Sequence, residues 1–129
     1  MKTPATPAKP SLSGPVVALA GGVGAARFLR GLVRVVPEEQ LTILGNTGDD
    51  RKFYGVHVAP DIDIVTYTLA GCVDPQHGYG IADDRFTMLR VLESLGHETW
   101  FRLGDRDFAF CLHRTLEMKN GRSLEEAID

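Results

Sequence analysis

The stretch Val16-Val17-Ala18-Leu19-Ala20-Gly21-Gly22-Val23-Gly24-Ala25-Ala26-Arg27 decides how this chain folds. Five apolar residues make a short buried strand, and a glycine turn follows. The chain then runs straight into helical spacing. Phe28, Leu29, Leu32, Val33 and Val36 fall on one face, Arg27, Arg30 and Arg34 lie off it, and Pro37 ends the run. A turn without side chains lets backbone N–H groups approach an anion, and the helix N-terminus behind it adds partial positive charge. Strand, glycine turn and helix in that order predict a phosphate or nucleotide site in a parallel α/β protein, the alternative being a tight structural turn.

Downstream, residues 41–44 read as a second strand that stops at Gly45-Asn46-Thr47-Gly48-Asp49-Asp50. Strand, helix and strand within about thirty residues form a βαβ unit, whose crossover is expected to be right-handed. Asp61-Ile62-Asp63 offers capping carboxylates to a helix over 64–70 closed by Gly71, and a turn-rich loop spans 74–80. A third helix from about Asp84 sets Phe86, Leu89, Leu92 and Leu95 on one side and meets Gly96 as its C′ residue. Residues 99–103 are β-prone, and a fourth helix over 108–119 ends at Asn120-Gly121. Ser123-Leu124-Glu125-Glu126 is a capping box that opens one more helix just before Asp129, so the chain reads as part of a longer protein. Residues 1–14, rich in Pro, Ser, Thr and Lys without an apolar run, are expected to be a disordered leader.

Composition narrows the function. At 129 residues and 43% hydrophobic content the chain can bury one core, and it is too short for two domains. A net charge of -3 argues against broad binding to nucleic acid or to an anionic membrane. Cys72 and Cys111 are isolated, which fits reduced thiols in a cytoplasmic protein and neither a disulfide framework nor a zinc site. No apolar run approaches the ~20 residues a membrane-spanning helix needs.

Candidate chemistry gathers after the two strands. In the glycine loop, Gly21, Gly22, Val23, Gly24 and Ala25 are the phosphate-facing positions, and Arg27 in the first helical turn either grips a phosphate or faces solvent. Arg27 also replaces the third glycine of the dinucleotide fingerprint, and Gly45-Asn46 stands where an acidic ribose ligand belongs; both count against a nicotinamide cofactor. Asn46, Asp49, Asp50, Asp61 and Asp63 lie at the carboxyl edge of the sheet, where open α/β folds bind ligands. Carboxylates crowded there repel unless a cation, a basic substrate or hydrogen bonds compensate, and Mg²⁺ shared with substrate phosphates meets that need. The alternative is that Asp61 or Asp63 merely caps a helix and Asp50 is solvated. Gly104 and Asp105, within Arg102-Leu103-Gly104-Asp105-Arg106-Asp107, mark either a substrate loop or an ion-paired turn. His57, His77, His97 and His113 are scattered without metal-ligand spacing.

Four linked stretches carry a family resemblance: 20–29, Asn46-Thr47-Gly48-Asp49-Asp50, 55–63 and 98–107. Taken in order, they resemble the 2-phospho-L-lactate transferase family, known as CofD in archaea and FbiA in actinobacteria. The resemblance implies a Rossmann-like α/β fold, a mostly parallel sheet flanked by helices and apparently truncated at the C-terminus. Residues 15–129 would then be the N-terminal part of the transferase domain. It further implies a Mg²⁺-dependent step of coenzyme F(420) biosynthesis, in which a phospholactyl or phosphoenolpyruvyl group passes from a guanosine-diphospho donor to the deazaflavin Fo. By carry-over, Asp49 and Asp50 are the catalytic and metal-holding pair, with Asp61 or Asp63 assisting at metal and acceptor. Ala25 stands where the family often has glycine, and Asp83-Asp84-Arg85-Phe86 where threonine commonly precedes the aromatic. Two other readings stay open: a nucleotide-binding regulator of the same superfamily, and an inactive fragment that self-associates. A homo-oligomer is expected.

Overall fold

The structure, a computed structural model, describes residues 13–128. Apart from residues 13 and 14, the predicted leader lies outside the described residues.

The opening stretch forms β1 (Val16–Ala20), and α1 (Val23–Val35) begins immediately after the glycines. A single 3-10 turn, Glu38–Gln40, leads into β2 (Leu41–Gly45). β1 and β2 pair in parallel, from Val16 opposite Leu41 to Ala20 opposite Gly45, so both strands stop at the same edge. The Asn46 N–H carries the ladder one step further, donating to the Ala20 carbonyl at 2.7 Å. The βαβ unit and the α/β class are therefore present, with helices against the parallel pair.

Alternation sorts the strand side chains. Ala18 and Ala20 are buried against Ala26 and Leu29 of α1 and Val65 of the next helix, while Val17 and Leu19 face outward. Small residues in β1 let α1 come close. Phe28, expected on the inner face of α1, is instead 64% exposed, because Ala26 and Leu29 take the stripe that meets the sheet.

A hairpin that the sequence reading left unassigned follows. β3 (Arg51–Phe53) and β4 (Val56–Val58) run antiparallel through Tyr54-Gly55, both with positive φ (52° and 82°), as a two-residue hairpin turn requires. α2 (Pro60–Leu69) starts four residues before the expected start at residue 64, with Pro60 at its N-terminus. Asp61 and Asp63 therefore sit inside its first turn, past the N-cap, which is Ala59.

The expected strand over 99–103 does not form. Phe101 stacks on Phe53 at 3.7 Å between ring centres, Trp100 meets Phe53 edge-on, and the Phe101 carbonyl accepts from the Tyr54 hydroxyl at 2.6 Å. Aromatic anchors, rather than a ladder, tie this segment to the hairpin. α3 (Thr87–Ser94) starts three residues later than the expected Asp84, and Leu95 ends up 69% exposed beyond it. α4 (Asp105–Lys119) starts three residues earlier than expected, and the capping box forms as read, with Ser123 and Glu126 exchanging bonds at 2.8 and 3.2 Å.

The starts of α3 and α4 explain each other. Asp105 accepts from the N–H groups of Thr87 and Met88 (3.1 and 2.9 Å), capping α3 from a distance. Asp84 accepts from Arg106 and Asp107 (2.9 and 3.0 Å), capping α4 in return. The Asp105 N–H closes the exchange on the Arg85 carbonyl at 2.7 Å. A Cβ at Gly104 would run into the Asp84 carboxylate, so glycine is what allows the two turns to meet.

Candidate functional site

At the shared edge of β1 and β2 three predicted segments converge on one carboxylate. Asp61, in the first turn of α2, lies against the glycine turn: a Cβ on Gly22 would sit 3.0 Å from its Oδ1, and one on Gly21 3.5 Å from its Oδ2. The Asn46 side-chain amide donates to Asp61 Oδ2 at 2.7 Å, while its own Oδ1 accepts from the Gly48 N–H at 3.0 Å. A Cβ on Gly45 would meet the terminal methyl of Ile62, which would have to shift. The first glycines thus make room for a carboxylate, whereas a Cβ at Gly24 would meet nothing within 4 Å. Val23 opens α1, Ala25 packs partly buried against the core, and Arg27 is exposed with its guanidinium near Gly78 of the 74–80 loop.

The neighbouring acidic pair separates. Asp49 is exposed. Asp50 turns inward, its Oδ2 3.0 Å from His57 Nε2 on β4, and its Oδ1 is buried with no hydrogen-bond partner. His57 is itself held by α4: its N–H donates to the Thr115 hydroxyl at 2.7 Å, and its carbonyl accepts from Arg114 at 3.4 Å.

Beneath Asp50 runs a band of buried polar groups from α2 and α4. Asp63 is 5% exposed and takes both its oxygens to Arg114, itself 4% exposed. Tyr67 donates to Asp107 Oδ1 at 2.8 Å, and the Cys111 thiol approaches the same oxygen at 3.8 Å. Burial raises the Asp63 carboxyl, with Arg114 working against the rise and the Asp50 charge adding to it. Burial also lifts Asp107, to about 6, and the charges of Asp63 and Asp84 push the same way. Cys111 is pushed up to about 12, again by burial first and then by Asp63 and Asp107. Burial opposes the charge of Arg114, but its pairing with Asp63 outweighs that, and the guanidinium stays cationic. Asp50, Asp63, Asp107 and Asp84 thus line up as a chain of carboxyl groups in which Asp63 feels Asp50, and Asp107 feels Asp63 and Asp84, with Arg114 among them as a fixed cation.

That chain ends in a cleft of about 500 Å³ between the 74–86 segment and the start of α4. His77, Tyr79, Phe86, Arg102 and Asp107 are among its walls, and the Arg102 guanidinium lies 4.2 Å over the Phe86 ring. The cleft neighbours the glycine turn, because Gly78 packs against Val23 and Arg27 of α1.

The predicted residues therefore divide. Gly21, Gly22, Asn46 and Asp61 come together, and Asp50 follows Asn46 in the same loop but pairs with His57. Asp63 is occupied by Arg114, and Asp105 and Gly104 serve the α3–α4 corner. Tyr67 and Arg114 carry no signal of their own in the sequence, and Asp84 and Asp107 stand out there only as a helix start and as the end of the Arg102–Asp107 stretch. The spacing Asp107, Cys111, Arg114 (i, i+4, i+7) was the available signal, since it is one face of a helix. Among the described residues no helix is long and apolar enough to cross a membrane.

Comparison with known proteins adds a family. A family model described as 2-phospho-L-lactate transferase CofD matches residues 16–129. The phosphoenolpyruvate transferase of Kitasatospora aureofaciens is 46% identical over 116 residues, covering 88% of this chain and 36% of the relative. That of Streptomyces coelicolor is 48% identical over 110 residues, covering 84% and 34%. The 2-phospho-L-lactate transferase of Methanocaldococcus jannaschii is 38% identical over 114 residues, covering 88% and 37%. The chain spans about a third of the length of these relatives.

Proposed function

The chain belongs to the 2-phospho-L-lactate transferase CofD family, and from that premise we propose that it binds the diphosphate of a guanosine-diphospho donor at the β1–β2 edge. The reaction it serves is transfer of a phospholactyl or phosphoenolpyruvyl group to the hydroxyl of the deazaflavin Fo, with the donor's guanosine monophosphate leaving, in coenzyme F(420) biosynthesis. The observation that carries this reading is the convergence of Gly21-Gly22, Asn46 and Asp61 where two parallel strands end together. Ligands of open α/β folds bind outside the carboxyl ends of the strands.

The residues fit a divalent cation. Asp50 Oδ1 is a buried carboxyl oxygen without a partner, and Asp61 puts a further carboxyl group beside the turn proposed for phosphate. A diphosphate brought there meets repulsion that a hard cation removes, and oxygen ligands suit Mg²⁺. Asp50 and Asp61 are the residues that would hold it, with exposed Asp49 within reach of solvent and substrate. When bound, Mg²⁺ would neutralise charge that builds on the diphosphate during transfer.

The chain's own groups supply the remainder. The N–H groups at the start of α1 would meet the phosphates, as helix N-termini do for anions. Asn46 holds Asp61 in place, and the cleft walled by Tyr79, Phe86 and Arg102 offers flat and cationic surfaces for the acceptor ring. Transfer of this kind needs positioning and charge neutralisation more than covalent help from protein.

The test is direct. The chain is titrated with guanosine diphosphate and Mg²⁺ by calorimetry, then incubated with Fo and the donor and read by mass spectrometry. Binding and a phospho-acid adduct of Fo are expected. Binding without adduct would make the chain a nucleotide-binding module, and no binding would refute the reading.

A further inference from the structure

Asp50 has two oxygens with different fates. Oδ2 meets His57 Nε2 at 3.0 Å, and Oδ1 is buried and unpartnered. The side chains of His57 and Asp50 are 22% and 13% exposed, so the contact is sheltered from water on both sides. His57 does not drift: its N–H is anchored on Thr115, whose hydroxyl donates in turn to the Cys111 carbonyl at 2.6 Å, and its carbonyl accepts from Arg114. The short β3–β4 hairpin, closed at Tyr54-Gly55, fixes the strand on which His57 stands.

We infer that His57 is a positioning residue: its Nε2–H holds Asp50 Oδ2, so that Oδ1 alone is presented to the cation shared with the donor diphosphate. This rests on the function proposed above. Physically, a carboxylate on a loop turn can rotate and present either oxygen or both; a donor fixed on one oxygen removes that freedom before the cation arrives. Outer partners of this kind typically change metal affinity ~10–100-fold when lost. The arrangement also gives α4 a part in the site, since Thr115 and Arg114 set the backbone of His57.

The test compares how strongly Mg²⁺ tightens guanosine diphosphate binding, measured by calorimetry in Mg²⁺ and in EDTA, for wild type, His57→Gln and His57→Asn. Glutamine places an amide donor near the position of Nε2, whereas asparagine is too short to reach Asp50. The expected result is a Mg²⁺ enhancement kept by His57→Gln within about threefold and reduced roughly tenfold or more by His57→Asn, with affinity in EDTA unchanged in both. Equal enhancement in His57→Asn, or equal loss in both variants, overturns the inference while leaving the proposed function standing. A wild type that shows no nucleotide binding sinks both. A second measurement needs no variant: the ¹⁵N shift of His57 Nε2 in the wild-type chain is expected to be that of a protonated ring nitrogen. An unprotonated Nε2 overturns the inference outright.

Discussion

Burial raises the Asp107 carboxyl from 3.8 to about 6, and the charges of Asp63 and Asp84 add to the rise. A carboxyl raised in the folded state holds its proton where the unfolded chain has lost it. Folded and unfolded forms bind protons equally below about pH 4; between about 4 and 6 the folded form binds more, so this group's contribution to stability falls as pH rises through that window. Above about 6 the penalty is constant. Asp107→Asn keeps an oxygen for the Tyr67 hydroxyl and removes the charge. It is expected to stabilise the chain by about 1–2 kcal/mol at pH 7 and by almost nothing at pH 4; urea denaturation at the two pH values measures the difference. At this scale sequence and structure part company. The Asp49-Asp50 pair was legible as a doublet, but that Asp50 turns in to His57 while Asp49 stays in solvent depends on the hairpin that brings His57, seven residues on, back beside it.

Between elements, α2 and α4 are joined by a buried ion pair instead of an apolar seam. Asp63 and Arg114 lie 51 residues apart in sequence, and each is more than nine-tenths buried. Removing one partner strands the other charge, so Arg114→Met is expected to cost about 3–5 kcal/mol. Replacing both, as Asp63→Leu with Arg114→Met, is expected to recover much of that loss; guanidinium unfolding of the single and double variants forms the cycle. α4 shows why its inner face was hard to read. It buries Asp107, Cys111, Arg114 and Thr115 at least in part, and leaves Phe110 (53%) and Leu116 (50%) exposed, which inverts the usual amphipathic rule. The α3–α4 corner was equally hidden: Asp84 and Asp105 each look like the cap of their own helix, yet each caps the other's.

For the molecule as a whole, the outer face of the parallel pair is an exposed apolar surface. Val17, Leu19 and Leu44 are 57%, 81% and 53% exposed on strands of a type that is ordinarily covered on both faces. Self-association through this face is the expected outcome at high concentration. Leu19→Lys should shift sedimentation toward the monomer without lowering the unfolding midpoint, and an unchanged profile would argue against the face as a contact. What the sequence determined by itself was local: the apolar run to Ala20, the glycines after it and the helical spacing beyond dictate strand, turn and helix, because period and backbone freedom are properties of neighbouring residues. The matching stop of β2 at Gly45 followed from the same kind of signal. What only the tertiary structure decided was which polar groups meet. Asp61 against Gly22, His57 on Asp50 and Arg114 on Asp63 are contacts between distant segments, and their partners are chosen by packing and by the need to satisfy charge once water is excluded.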